Sequence, residues 1–333
     1  MTIRSFLIGL LAVFVAILGQ IRWLDGRGGE AALLYGLSIG GFVAVFRSMG
    51  AGWLVAPADG QPATTARNLL TAQGWRIGLG LLFVGLATAG AVLGLREFHL
   101  REPWTTAGWL YYGGSVAAML LATAVLTNHR LPALPHEEDA GSTERWGRFT
   151  VSALLLAIVL MGFLFRLYRF DELPFGTWYD EAENGLQALR LLEDPNFRPI
   201  FANSTHAPAH YIYLIAGAFQ LFGVSTESIR LVSVAMGLGT ILGGYLCGRE
   251  LFGRVAGLSA AFLLAVSRWD VNLSRIGMYN ISTPLFALLT VGFFLRALRT
   301  RSLFDFGLAG LSLGLGLSFY AAFQLIALAM ALF

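Results

Sequence analysis

The sequence contains no lysine, a single cysteine, five histidines and few charges of either sign: 13% of its 333 residues are Asp, Glu, Lys or Arg. Each scarcity excludes something. One cysteine, Cys247, rules out an intramolecular disulfide, and its apolar surroundings argue against a reactive thiol. All 23 basic side chains are arginine, which points to a GC-rich coding sequence more than to a mechanism. The shortage of charge, set against 56% hydrophobic residues and a mean hydropathy of +0.66, excludes a soluble globule of this length. Nothing in the composition calls for a nucleic-acid partner, and no repeat of fixed period is present. The chain reads as an all-α, polytopic membrane protein.

Uncharged apolar runs of about spanning length recur near residues 5–20, 31–46, 77–95, 106–126, 149–165, 231–248, 255–267 and 281–295, with a longer one from 306 to the end. That last run is too long for one ordinary helix and is expected to break near Ser318 to Ala321, giving about ten transmembrane helices. The chain stops at Phe333 inside an apolar segment, which reads as a fragment whose remaining helices are missing. Residues 1–20 could also be a signal peptide, but no small-residue cleavage site follows ILGQIRW.

Arginine placement gives an orientation. With the amino terminus cytoplasmic, strict alternation puts Arg47, Arg67 and Arg76 inside, then Arg130, Arg145 and Arg148, as the positive-inside rule expects. The outer loops are balanced, Arg22 and Arg27 by Asp25 and Glu30, and Arg96 and Arg101 by Glu97 and Glu102. The apolar run 209–222 is then expected to lie along the surface. Were it to span, the arginines of GRELFGR and LRALRTRS would fall outside. Segments 56–73 and 132–144 read as flexible cytoplasmic connections. The expected organisation is a four-helix module (1–130), a cytoplasmic linker (131–148) and a core (149–333).

One stretch breaks the apolar pattern. Between Arg166 and His210 lie seven of the 20 carboxylates: Asp171, Glu172, Asp180, Glu181, Glu183, Glu193 and Asp194. Charge beside a bilayer is a functional hypothesis by default. Within it, TWYD fits a capping box, with Thr177 as N-cap and Asp180 at the third helical position, opening an amphipathic helix to about Leu192. Asp180 as a mere cap and Asp180 as a base are about equally supported by this local pattern. His206 and His210 are four apart, a spacing compatible with a pair of metal ligands.

From about Thr150 onward the order of motifs resembles the membrane-embedded GT-C glycosyltransferases, specifically the protein O-mannosyltransferase and aminoarabinose transferase-like group, glycosyltransferase family 39. The resemblance rests on FRLYRF, WYDEAENGLQAL, HAPAHYIYL, FGVSTESIRLVSVAMG, GRELFGRVAGLSAAFLLAVS and LSRIGMYN, in that order. It implies a hexosyl- or pentosyltransferase in the plasma membrane, with a catalytic loop (166–228) on the extracytoplasmic side. The sugar would pass, with inversion, from a polyprenyl-phosphate donor to a hydroxyl of a protein or lipid acceptor. It further implies Asp180 as catalytic base and Glu181 as its partner. Arg166, Arg169, His206, Arg230, Arg275 and Tyr279 become candidate contacts for the donor phosphate or substrate, and His206 with Asp180 a candidate site for a divalent metal. Two departures stand out: HAPAH has Ala207 where the family pattern has proline, and SRIGMYNISTP offers Asn280 where some members carry an aspartate.

Other classes fit less well. A transporter or flippase of lipid-linked sugars should carry charged or broken helices at mid-membrane depth, whereas these charges sit at helix ends. A non-catalytic membrane scaffold requires Asp180 to be dispensable.

Overall fold

Leucine, alanine and phenylalanine dominate the apolar runs and favour helix, and glycine, proline or a charged cluster ends nearly every run. The computed structural model describes residues 63–100, 106–127, 148–202 and 207–332, with isolated positions before them; the apolar runs 5–20 and 31–46 and most of the 131–148 linker lie outside the described residues. The chain divides into two compact units, Met1–Gln73 and Gly74–Phe333. The second carries nearly everything described.

Its helices are α1 (Ala63–Leu100), α2 (Thr106–Leu126), α3 (Arg148–Leu167), α4 (Tyr179–Glu193), α5 (His210–Phe222) and α6 (Thr226–Phe252). They are followed by α7 (Arg254–Val266), α8 (Arg268–Ser274), α9 (Ser282–Thr300), α10 (Leu303–Phe319) and α11 (Gln324–Leu332). Short 3₁₀ turns precede α9 and α11. The architecture is helical apart from one two-residue antiparallel pairing of Phe201–Ala202 with Ala207–Pro208. Among the described residues five helical stretches are long and apolar enough to cross a membrane: Trp75–Leu100, Thr106–Leu126, Phe149–Leu167, Thr226–Phe252 and Tyr279–Thr300. α5, α7, α10 and α11 are apolar but shorter.

α6 is the hub. Over half of its apolar window is enclosed (56%), against 11–17% for the spans on α1, α2 and α3. The latter therefore present leucine and phenylalanine outward, as a lipid solvent demands; Leu160, Phe163, Leu164 and Phe165 on α3 are examples. α6 and α7 meet at glycine. Gly253 turns the chain with φ +91°, and a methyl group added at Gly257 would lie 2.7 Å from the Tyr245 carbonyl and 3.0 Å from Arg249 Cβ. Only glycine lets the two backbones approach this closely.

Two expectations change. α1 begins at Ala63, so the second half of the supposed 56–73 connection is helical; its alanine-rich sequence ATTARNLLTAQ contains no glycine or proline to stop it. α5 is 13 residues, about 20 Å long, and does not reach across a hydrocarbon core of ~30 Å. It buries Tyr211, Ile212, Ile215 and Phe219 in the main core, yet exposes Leu214, Leu221 and Phe222, so its outer face is apolar rather than polar. The break in the final apolar run falls at Tyr320, within the expected window.

The two arginine clusters lie at the same end of the bundle. Arg299 on α9 bonds both carboxylate oxygens of buried Glu250 on α6 at 2.7 and 3.0 Å. The linker between α3 and α4, and the turn before α9, lie at the opposite end.

Candidate active site

α3 ends at Leu167 because the chain turns left-handed at Arg169 (φ 48°), and residues 168–178 then form a linker without regular structure. Its side chains face outward: Phe175 is 98% exposed and Trp178 64%. α4 starts one residue later than the capping pattern suggests. Trp178 is its N-cap, and Glu181, not Asp180, occupies the third helical position and accepts the Trp178 N–H at 2.9 Å. The indole can only donate, so the reciprocal half of a capping box is absent. Thr177 does not cap because its hydroxyl bonds Thr226 Oγ1 at 3.1 Å, a tertiary contact that no local pattern shows.

This shift gives the two neighbouring acids opposite environments. Glu181 is fully buried. One oxygen accepts Arg230 Nε at 2.9 Å and the Gly277 N–H at 2.7 Å, and the other accepts Arg230 Nη2 at 3.2 Å besides Trp178. Burial pushes the Glu181 carboxyl up, but the Arg230 bond and the two backbone donors outweigh it and hold the group below the usual carboxylate range. Asp180 is half-buried, and its carboxylate has no hydrogen-bond or ionic partner among the described residues.

The arginines sort by what they hold. Arg166, fully buried at the end of α3, pairs with Asp270 of α8 and donates to Ser274 Oγ (3.2 Å) and the Gly162 carbonyl (2.9 Å). Burial raises the Asp270 carboxyl against the opposing pull of Arg166. Arg230, besides gripping Glu181, donates to the carbonyls of Pro174 (3.2 Å) and Gly176 (2.5 Å). Arg275 donates to those of Phe165 (3.1 Å), Tyr168 (2.6 Å), Arg169 (3.1 Å) and Leu173 (2.8 Å). It thereby caps the negative end of α3. Arg169 alone of the four is well exposed, paired with Glu172 through Nε at 2.6 Å.

Tyr279, at the turn before α9, is half-buried between Tyr211 and Tyr320, with ring centroids 6.2 and 5.4 Å away. His210 lies apart from the linker, in a box of Trp109, Tyr112 and Phe319. His206 lies outside the described residues, among which no group of three or more His, Cys, Asp and Glu side chains could hold a metal ion. Gly277 and Asn184, which sequence reading passed over, are central: Asn184 Nδ2 donates to the Gly277 carbonyl at 3.4 Å, so α4 holds both backbone polar groups of Gly277.

Fold and site together define a polytopic helical membrane protein with a carboxylate, unpartnered among the described residues, in the first turn of the helix that follows an exposed linker, and a buried network of arginines behind it. Residues 205–333 match a family model described as dolichyl-phosphate-mannose-protein mannosyltransferase, a family of membrane glycosyltransferases. No curated protein and no solved structure matches the chain. The matched stretch begins after Asp180 and Glu181, but contains Arg230, Arg275, Gly277 and Tyr279. The start of α4, which bears both acids, is bonded to it through the Arg230–Glu181 and Gly277–Glu181 contacts.

Proposed function

We propose that the protein is an inverting glycosyltransferase of the plasma membrane, moving a sugar from a polyprenyl-phosphate donor to a hydroxyl of a protein or lipid acceptor on the extracytoplasmic side. The observation that carries this reading is the contrast between the two acids. Glu181 is committed to four donors, and Asp180, one residue earlier, is left free to meet a substrate. A base must be within reach of the proton it removes, and Asp180, in the first turn of α4, combines partial enclosure with no partner among the described residues.

In the proposed reaction the acceptor oxygen attacks the anomeric carbon from the face opposite the phosphate. The bond from that carbon to the phosphate oxygen breaks, its electron pair leaving with the lipid phosphate, and the acceptor's proton passes to the Asp180 carboxylate. Arg169, exposed on the linker, is the nearest candidate to meet the phosphate through its forked donors. Arg230 and Arg275 act from behind by holding the linker, Arg166 by tying α3 to α8, and all three contribute positive potential. Tyr279 is a candidate sugar or acceptor contact. The side assignment follows from the arginine clusters gathered at the opposite end. With α5 left along the surface, the five long helices, the amino-terminal runs 5–20 and 31–46, and α7, α10 and α11 with the turns that adjoin them make up the bundle of about ten spans.

The test is the Asp180→Asn variant, assayed in lipid nanodiscs with a panel of polyprenyl-phosphate hexoses and pentoses. Loss of a general base should lower kcat by about 10²- to 10⁴-fold. Undiminished transfer would overturn the assignment.

A further inference from the structure

We infer that Arg275 and Gly277 are positioning residues: the single turn they share fixes both ends of the linker that leads into Asp180 at the start of α4, and so sets where the acid stands. The clamp itself is read from geometry; its effect on turnover rests on the transferase reading above.

The linker needs such a device. Phe175, Trp178 and Tyr168 are exposed, so side-chain packing contributes little to its shape. Its conformation is instead held through its backbone. Six carbonyl oxygens from Phe165 to Gly176 accept guanidinium donors, those of Phe165, Tyr168, Arg169 and Leu173 from Arg275, and those of Pro174 and Gly176 from Arg230. Arg275 thus secures the exit from α3 and the first half of the linker. Two residues on, the Gly277 peptide secures the other end, its N–H on Glu181 and its carbonyl on Asn184, both buried on α4.

Between them the turn is short and internally bonded. Arg275 N–H donates to the Asn272 carbonyl at 3.1 Å, and Met278 N–H to that of Ile276 at 2.8 Å. The end of α3 and the start of α4 are therefore referred to one rigid point. Asp180, whose carboxylate has no hydrogen-bond or ionic partner among the described residues, inherits its position from that point.

The residue types follow from this task. Holding four carbonyls at once requires a planar fork of donors, which arginine has and lysine lacks. Position 277 requires glycine because a methyl group there would come within 2.5 Å of Ile229 Cγ2 and 3.2 Å of Glu181 Oε1. Arg275 also differs from its neighbours in having no carboxylate partner among the described residues. Arg166 and Arg230 are each matched by a buried acid, so their removal leaves a stranded charge. Removing Arg275 strands none, and the carbonyls it releases edge an exposed linker where water can reach them.

The experiment compares wild type, Arg275→Gln, Arg275→Lys, Gly277→Ala and Asp180→Asn in nanodiscs by two measurements. Hydrogen exchange reads the amides of 168–178, and steady-state kinetics reads transfer from a polyprenyl-phosphate sugar. In Arg275→Gln and Gly277→Ala, linker exchange should accelerate about tenfold or more while α6 and α9 stay protected. kcat should fall by about 10²-fold, as misplacement near 1 Å does elsewhere, with the donor KM changed by no more than a few fold. Arg275→Lys should lie between these variants and wild type. Unchanged linker exchange in both variants, or exchange raised equally throughout the bundle, would overturn the clamp. Fast linker exchange with wild-type kcat would overturn its positioning role. Full turnover by Asp180→Asn would instead sink the transferase reading, and the exchange data would still judge the clamp.

Discussion

At the scale of single residues, the site turns on how differently two adjacent carboxylates are treated. Removing one member of a buried, hydrogen-bonded ion pair costs about 3–5 kcal/mol, because the other charge stays enclosed. Glu181→Ala should accordingly give a large fall in melting temperature in nanodiscs, whereas Asp180→Asn should stay within about 0.5 kcal/mol of wild type. The Glu181 carboxyl is held below its ordinary range, with burial opposing and Arg230, Trp178 and Gly277 prevailing. Its contribution is thus complete above the unfolded-chain value, about 4.3, and is lost as pH falls through the depressed folded value. Below about pH 4.3, wild type should lose stability more steeply than Glu181→Gln, as thermal melts across that range would show. The acidic pair was legible from sequence, but the division of labour within it was not. The local pattern set the cap at Thr177, and the bond from Thr177 to Thr226, 49 positions away, moved it by one residue.

At the scale of elements, apolar run length located the described spans, since lipid dictates how many residues a crossing helix needs. It was less informative about α5, whose length suits neither a span nor a water-facing helix and whose inner face completes the core beneath α4. The arginines at helix ends were legible as residues, but their partners are mostly backbone carbonyls, which every residue carries and no motif marks. Glycine tells more at the α6–α7 crossing. The methyl site at Gly248 would lie 3.0 Å from Gly257 Cα. Gly257→Val should therefore force the helices apart at a cost of about 1–3 kcal/mol, measurable as a lower melting temperature with the Asp180 chemistry unchanged.

At the scale of the whole molecule, the arginine clusters and the acid-bearing linker occupy opposite ends, and the chain's one cysteine, Cys247, is buried in α6. The protein is thus a natural background for site-directed thiol labelling. Phe175→Cys should react with an impermeant maleimide on intact cells, and Leu303→Cys only after permeabilisation; the reverse would invert the proposed orientation. The start of α4 also imposes a reading frame. Neighbouring helical positions point about 100° apart, so with Glu181 facing the bundle Asp180 is turned out toward its flank. Deleting one residue from the linker would not merely shorten it. It would pull the helix to a choice between keeping its buried anchor and keeping its outward acid, so the spacing of this segment carries information that its composition does not.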